Sequence, residues 1–394
     1  MSGIDSADVV VVGAGIVGAA CAEALSAAGL RVLVLDRGSP AGAATAASGG
    51  GVLVSDKDPG PELELAVASR RRWPELIEEL RELVGPRSAE VGWEARGGLA
   101  VATSAEAIGP LAALTAAQRA AGIEVEDLDS ASARDFEPEL TEETTAVAYV
   151  PDDAGLRPAA ATAALLSAVR ARGGAVRHGV TATGTATDRS GAITGVRTGA
   201  EAIPCRAVVN ACGPWAGHFS ERIGAAVDVL PWRGVSLVTA PLSRFLTRAV
   251  WDAEHLDAGQ EAGVPEWIGF EPTASGAVLL GAGRPLVSFE DDLDTAVLRR
   301  LARGAIRLFP GLAGVPVVRA RNGFRPSTPD RLPVIGEDPR RPGLWHAAGH
   351  GGSGVGLAAG TGRLLADLFT GREPVVDPDS FRVDRPELAL EAGA

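Results

Sequence analysis

Val9-Val10-Val11-Val12-Gly13-Ala14-Gly15-Ile16-Val17-Gly18, answered further on by Asp36, is the stretch whose reading decides the fold. The run Asp8–Val12 is short and apolar and reads as a buried parallel strand that ends at Gly13. Ile16–Ala28 is rich in alanine and stops at Gly29, which reads as a helix. Arg31–Leu35 is a second apolar strand, ended by Asp36. Together they make a β-α-β unit. Its turn fits G-x-G-x-x-G, and Asp36 stands 21 residues after Gly15, close to the roughly 20 that a dinucleotide-binding unit needs. The three glycines do different things. Gly13 makes the tight turn, Gly15 lets the backbone approach a pyrophosphate, and Gly18 lets the helix lie against the strand. Amide groups at the helix start, at Ile16 and Val17, hold the phosphates. Asp36 accepts hydrogen bonds from ribose hydroxyls and repels a 2′-phosphate, and Arg37 and Val180 join the same cofactor set. This fingerprint does not separate NAD from FAD.

The bulk composition agrees with an ordinary globular enzyme. The 394 residues are 46% hydrophobic and 22% charged, with room for two domains or one elaborated domain. The formal charge of −13 disfavours nucleic acid and anionic membrane as partners. It leaves room for an anionic substrate, because one arginine can dominate a pocket. Cys21, Cys205 and Cys212 are odd in number and form no C-x-x-C pair, which argues against a disulfide framework or a zinc site; no metal is expected. The N-terminus has no basic segment followed by an apolar one, and no apolar run is long enough to cross a bilayer, so a cytoplasmic protein without membrane contact is expected. A homo-oligomer is compatible with this reading.

Further along, Glu62–Val84 reads as an amphipathic helix interrupted by Pro74, and Ser104–Ala121 and Pro158–Arg172 as further helices. Residues 175–203 alternate like a small antiparallel sheet. Ala207–Asn210 and Leu344–Ala348 are strands, and Asp291–Phe309 and Val355–Phe369 helices. The expected fold is α/β, a discontinuous Rossmann-like nucleotide-binding domain with a second, mainly antiparallel β domain for the substrate. The first is drawn from residues 1–85, 150–225 and 321–394, the second from 86–149 and 226–320.

Three later motifs choose between the cofactors. The loop Thr45-Ala46-Ala47-Ser48-Gly49-Gly50-Gly51 follows shortly after Asp36 and has too little side-chain mass to form core. Val208-Val209-Asn210-Ala211-Cys212-Gly213-Pro214-Trp215 runs from a strand into a turn. Gly323-Phe324-Arg325-Pro326 is followed by Ala347-Ala348-Gly349-His350-Gly351-Gly352-Ser353-Gly354, which opens a helix. In these motifs the chain resembles the D-amino acid oxidase superfamily, specifically its glycine oxidase and sarcosine oxidase branch, from Val9 to Leu368. The resemblance implies FAD. It places Thr45, Ser48 and Gly49 to Gly51 along the flavin, Gly213 and Trp215 beside the dinucleotide, and Gly351, Gly352, Ser353 and Gly354 at the pyrimidine end. A helix N-terminus there stabilises the negative charge of a reduced flavin. Sarcosine oxidases of the family carry a flavin-linking cysteine near the position of Phe324–Thr328; this chain has none there, so noncovalent FAD is expected.

The resemblance also implies oxidation of a small amino acid by hydride transfer to flavin N5, with O2 as acceptor. Arg325 is expected to hold the substrate carboxylate and to touch the cofactor, a structural ion pair being its plain alternative. The chain departs from glycine oxidases in lacking their second arginine and tyrosine: its one tyrosine is Tyr149, and the stretch Gly263–Pro272 offers Trp267 and Phe270 as substrate contacts. A more apolar pocket follows, suited to an N-substituted glycine that yields glyoxylate and a primary amine. Enzymes of antibiotic biosynthesis that trim an N-carboxymethyl β-amino acid are one such setting. His350 is a candidate beside the flavin, and Lys57, the single lysine, a candidate cation for the reaction with oxygen. The rivals are a D-amino acid or hydroxyproline dehydrogenase passing electrons to a partner, an NAD-dependent dehydrogenase, and an idle flavin-binding subunit.

Overall fold

Val9–Val12, buried along its whole length, occupies the middle of a six-stranded sheet. The order is Val334–Glu337, Leu344–Ala348, Ala207–Asn210, Val9–Val12, Val32–Asp36 and Ala175–His178. All neighbours are parallel except the first pair. Strands covered on both faces need side chains that are apolar throughout, which is why Val9–Val12 shows no alternation. The computed structural model describes residues 6–256, 267–287, 289–290 and 292–388. Helices Ile16–Ala27, Pro61–Val84, Pro158–Ala171 and Gly354–Thr370 pack on one another beside this sheet. Small residues permit that close approach: a Cβ at Gly362 would lie 2.6 Å from the carbonyl oxygen of Ala20.

A second sheet of eight strands, mostly antiparallel, stands beside the first. It runs from Val317–Ser327 through Leu230–Thr239, Val278–Val287, Trp267–Pro272 and Ala249–Asp252 to Gly98–Ala102, Ala146–Val150 and Glu126–Leu128. Helix Thr295–Leu308 covers one face, capped by the Asp294 carboxylate, which accepts the amide of Ala296 at 2.8 Å. The fold is thus mixed α/β, with a Rossmann-like parallel sheet and a separate antiparallel one.

Several expectations shift. Residues 175–203 are not one small sheet: Ala175–His178 extends the parallel sheet by pairing with Leu33–Asp36, while Ala182–Thr187, Ile193–Thr198 and Ala202–Pro204 form the antiparallel one. Pro74 does not interrupt its helix; Trp73, Leu76 and Ile77 beside it are buried, and packing offsets the lost backbone hydrogen bond. The domain boundary drawn at 321 falls inside the strand Val317–Ser327.

Candidate active site

The two sheets enclose a cleft of about 750 Å³ whose floor begins at the Gly13–Gly18 turn. Gly13 has φ +115°, and a Cβ there would lie 2.1 Å from the Ala211 carbonyl oxygen. Only glycine suits both the dihedral and the space. A Cβ at Gly18 would stand 2.0 Å from the Gly13 carbonyl oxygen, so helix and turn touch backbone to backbone. Asp36 braces the turn by accepting the Ala14 amide at 2.7 Å and the Gly38 amide at 2.7 Å. Both bonds use carboxylate lone pairs and leave others for a ligand. Thr45 does something the sequence did not announce: its hydroxyl oxygen accepts the Ile16 amide at 3.0 Å, linking the second motif to the helix start of the first.

Two helices open onto this cleft, Ile16–Ala27 from Gly15 and Gly354–Thr370 from Ser353; neither N-cap residue caps its helix with its own side chain, and Thr45 takes the Ile16 amide of the first. The Ser353 hydroxyl donates instead to Glu62 at 2.7 Å. The remaining first-turn amide groups and the positive ends of two helix dipoles in one cleft fit an anionic diphosphate and a ring that gains negative charge on reduction. Bare glycine backbone along the floor leaves room for a long flat ligand. One wall is aromatic: the Arg37 guanidinium lies 3.9 Å over the Trp215 ring, which stacks on Phe289 at 5.3 Å, and Phe289 meets Phe324 at 5.4 Å.

The Arg325 end of the cleft is built by joining remote segments. The Gly351 amide donates to the Pro326 carbonyl at 2.7 Å, and Ser327 bridges to His350, so the G-F-R-P strand and the second glycine run form one corner. Arg325 crosses small residues: a Cβ at Gly283 would lie 2.3 Å from its Nη1 and one at Gly234 3.1 Å from its Nε. His350 lines the cleft but is buried; burial pushes its imidazole down to about 3, and its Nε2 meets the Thr361 hydroxyl at 2.9 Å. Its imidazole is neutral at ordinary pH. Lys57 also lines the cleft, yet its ammonium pairs with Asp56 at 2.6 Å. Burial opposes its charge, and Asp56, Glu62 and Asp153 outweigh burial and raise its pKa.

Of the other residues read from sequence, Gly15, Ile16, Val17, Gly18, Asp36, Arg37, Ser48, Gly49, Gly51, Val180, Gly213, Trp215, Gly352 and Gly354 line this cleft. Gly50 does not. It faces away, where a Cβ would lie 1.9 Å from the Leu156 carbonyl oxygen. Phe270 is a correction as well. It is fully buried beneath the second sheet, edge-on to Phe309 at 5.0 Å, because strand alternation turns it to the helix-covered face. The side chain of Trp267 lies outside the described residues. What the sequence reading missed is the neighbour of Phe270. Alternation sends Glu271 into the cleft, where it lies beside the Gly51 amide and where burial, with Asp56 adding to it, pushes its carboxyl up to about 7. Cys212 also lines the cleft, its thiol pushed up to about 12 by burial and by the charge of Asp36.

Comparison with known proteins matches this geometry. Glycine oxidase of Geobacillus kaustophilus is 30% identical over 382 residues, spanning 96% of this chain and 97% of that protein. Its crystal structure superposes with a TM-score of 0.85 at 29% identity, covering 96% of this chain and 99% of that one. Hydrogen cyanide synthase subunit HcnC of Pseudomonas aeruginosa is 28% identical over 98% of both chains. No helix among the described residues is long and apolar enough to cross a membrane. The turn at Gly13, the uncapped helix at Gly354 and the arginine between them all lie within residues 8–368, which match the family model of FAD-dependent oxidoreductases. The chain belongs to that family, the FAD-dependent oxidoreductases, and is similar along its length to glycine oxidases.

Proposed function

We propose that the chain oxidises an N-substituted glycine to glyoxylate and a primary amine, with O2 as electron acceptor. The observation that carries this reading is Arg325, a guanidinium laid over Gly234 and Gly283 in a cleft also lined by Leu53, Val235, Leu279 and Phe324. A planar cation on a floor without side chains holds a carboxylate bidentately. The apolar walls beside it suit a substituent larger than the hydrogen of free glycine. Bound FAD supplies the two-electron acceptor for the hydride of the substrate Cα. The protein's part is to fix that carbon through the carboxylate and to keep the floor clear. Loss of hydride and proton leaves a substrate imine, which water splits into glyoxylate and the amine, and O2 leaves as H2O2. The FAD is noncovalent in this reading: Cys212 faces the cleft, but a thiol held at about 12 is a poor nucleophile.

A second reading, a D-amino acid or hydroxyproline dehydrogenase that hands electrons to a partner, is favoured by one feature. Lys57, the candidate cation for oxygen, is already paired with Asp56. Anaerobic titration with an N-alkylglycine carrying a long apolar arm, followed at the oxidised flavin band, separates the two. Bleaching with glyoxylate formed, then peroxide on admitting O2, supports the first reading. Bleaching only with a D-amino acid or D-hydroxyproline moves the function to the second, and free glycine as best substrate sinks the apolar-arm claim.

A further inference from the structure

Among the described residues, three carboxylates face the cleft. Asp36 is held by the Ala14 and Gly38 amides. Asp56 is paired with Lys57. Glu271 lies beside the Gly51 amide, and no arginine or lysine among the described residues pairs with it. Its carboxyl is pressed onto the flavin loop so closely that a Cβ at Gly49 would lie 2.2 Å from Oε1. A carboxylate withdrawn from water with one amide for company is costly unless a cation joins it. Asp56 stands close enough to disfavour its ionisation further, so the missing charge is positive. Leu279 and Gly281 on the adjoining strand, which line the same cleft, bring none, and Arg325 reaches the cleft from Val317–Ser327, a strand that does not adjoin that of Glu271.

We propose that Glu271 is the amine subsite, binding the substrate's ammonium opposite the carboxylate grip of Arg325 and taking its proton. The step is a proton transfer: an N–H bond of the ammonium breaks, its electron pair stays on nitrogen as the lone pair an amine needs before it can be oxidised, and the proton forms an O–H bond on Glu271. A carboxyl poised at about 7 is matched to that exchange near neutral pH. The proposal rests on the reading of the cleft as an amino acid site. It adds that recognition is two-pronged, a cation for the carboxylate and an anion for the amine, and so selects amino acids over simple carboxylic acids.

The test uses the FAD-loaded protein and two ligands that differ by one group. 2-Aminoisobutyrate carries ammonium and carboxylate and has no Cα–H to oxidise; isobutyrate lacks the amine. Binding is read by calorimetry and by perturbation of the flavin spectrum, without turnover. The wild type binds the amino acid more tightly, and Glu271→Gln loses about tenfold or more of that affinity. The same variant changes isobutyrate affinity by less than about twofold, since isobutyrate has no amine for Glu271 to meet. A merely structural Glu271 would move neither ligand, or both equally, and either result overturns the proposal. A second measurement needs no variant: in the wild type, 2-aminoisobutyrate binding weakens from about pH 8 to about pH 6 as the carboxylate is protonated, while isobutyrate binding does not weaken. A wild type that shows no preference for the amino acid, or no such pH dependence, overturns the proposal too. If isobutyrate itself fails to bind, the carboxylate site at Arg325 fails with it; if it binds and gains nothing from the amine, Glu271 alone is wrong.

Discussion

Replacing Gly283 with alanine tests the role of Arg325 without touching Arg325. The ideal Cβ at Gly283 lies 2.3 Å from Nη1 and 3.2 Å from Cζ of that side chain. Carbon and nitrogen rest at about 3.5 Å, so the guanidinium must withdraw by about 1 Å. Gly283 is not among the glycines with positive φ, so alanine is compatible with its backbone, and the group that moves is the far end of a flexible side chain. Folding stability should fall by less than about 1 kcal/mol. Catalysis should suffer far more, because a reacting carbon misplaced by about 1 Å costs on the order of 100-fold. That corresponds to about 2.7 kcal/mol in the barrier. The assay is kcat/KM for the N-alkylglycine by peroxide formation, with FAD content and thermal melting measured on the same sample. A variant that keeps its FAD and its melting temperature and loses less than about threefold in kcat/KM would refute the assignment of the substrate carboxylate to Arg325.

Gly18→Ala places a methyl 2.0 Å from the Gly13 carbonyl oxygen, so helix and turn must separate; the purified protein is expected to be colourless and to melt earlier, and a yellow protein of normal stability would contradict this. His350 is held neutral by burial that pushes it down to about 3, so His350→Gln should leave every inflection of kcat/KM between about pH 5 and pH 9 in place; loss of one would show that the imidazole titrates in the working range. Asp153, buried against Ser55 and Val54, has its carboxyl raised to about 6 by burial. A carboxyl raised in the fold binds its proton more tightly folded than unfolded, so it penalises the fold above about 6, and the penalty is relieved as pH falls towards 3.8. The unfolding free energy of wild type relative to Asp153→Asn should therefore rise by up to about 3 kcal/mol from pH 7 to pH 4, and a flat difference would reject it. Acid precipitation should leave the flavin in the supernatant; yellow pellets would reject noncovalent binding.

How much was legible depended on whether the signal was local. The Gly13–Gly18 turn and Asp36 could be read directly, because a phosphate-binding turn must meet its ligand with contiguous backbone, and spacing along one β-α-β unit is fixed by the unit itself. Phe270 and Glu271 show the opposite case. The sequence Trp267-Ile268-Gly269-Phe270-Glu271 says that neighbours take opposite faces, but not which face looks onto the cleft, and the aromatic residue was the wrong choice. Lys57 likewise read as a free cation, and only the fold shows its ammonium paired with Asp56.

The sequence by itself determined the nucleotide-binding unit, the flavin, the family and the arginine expected to meet the substrate. Each rests on residues adjacent in the chain or on a motif carried whole. Tertiary structure decided everything that depends on distant segments meeting. It set Thr45 on the Ile16 amide and docked Pro326 on Gly351. It buried His350 and cleared the floor under Arg325 with glycines from two other strands. It also brought Glu271 onto the amide of Gly51, 220 residues away along the chain. Charge, burial and clearance are properties of a place in space, and a place in this cleft is built from strands that the chain visits hundreds of residues apart.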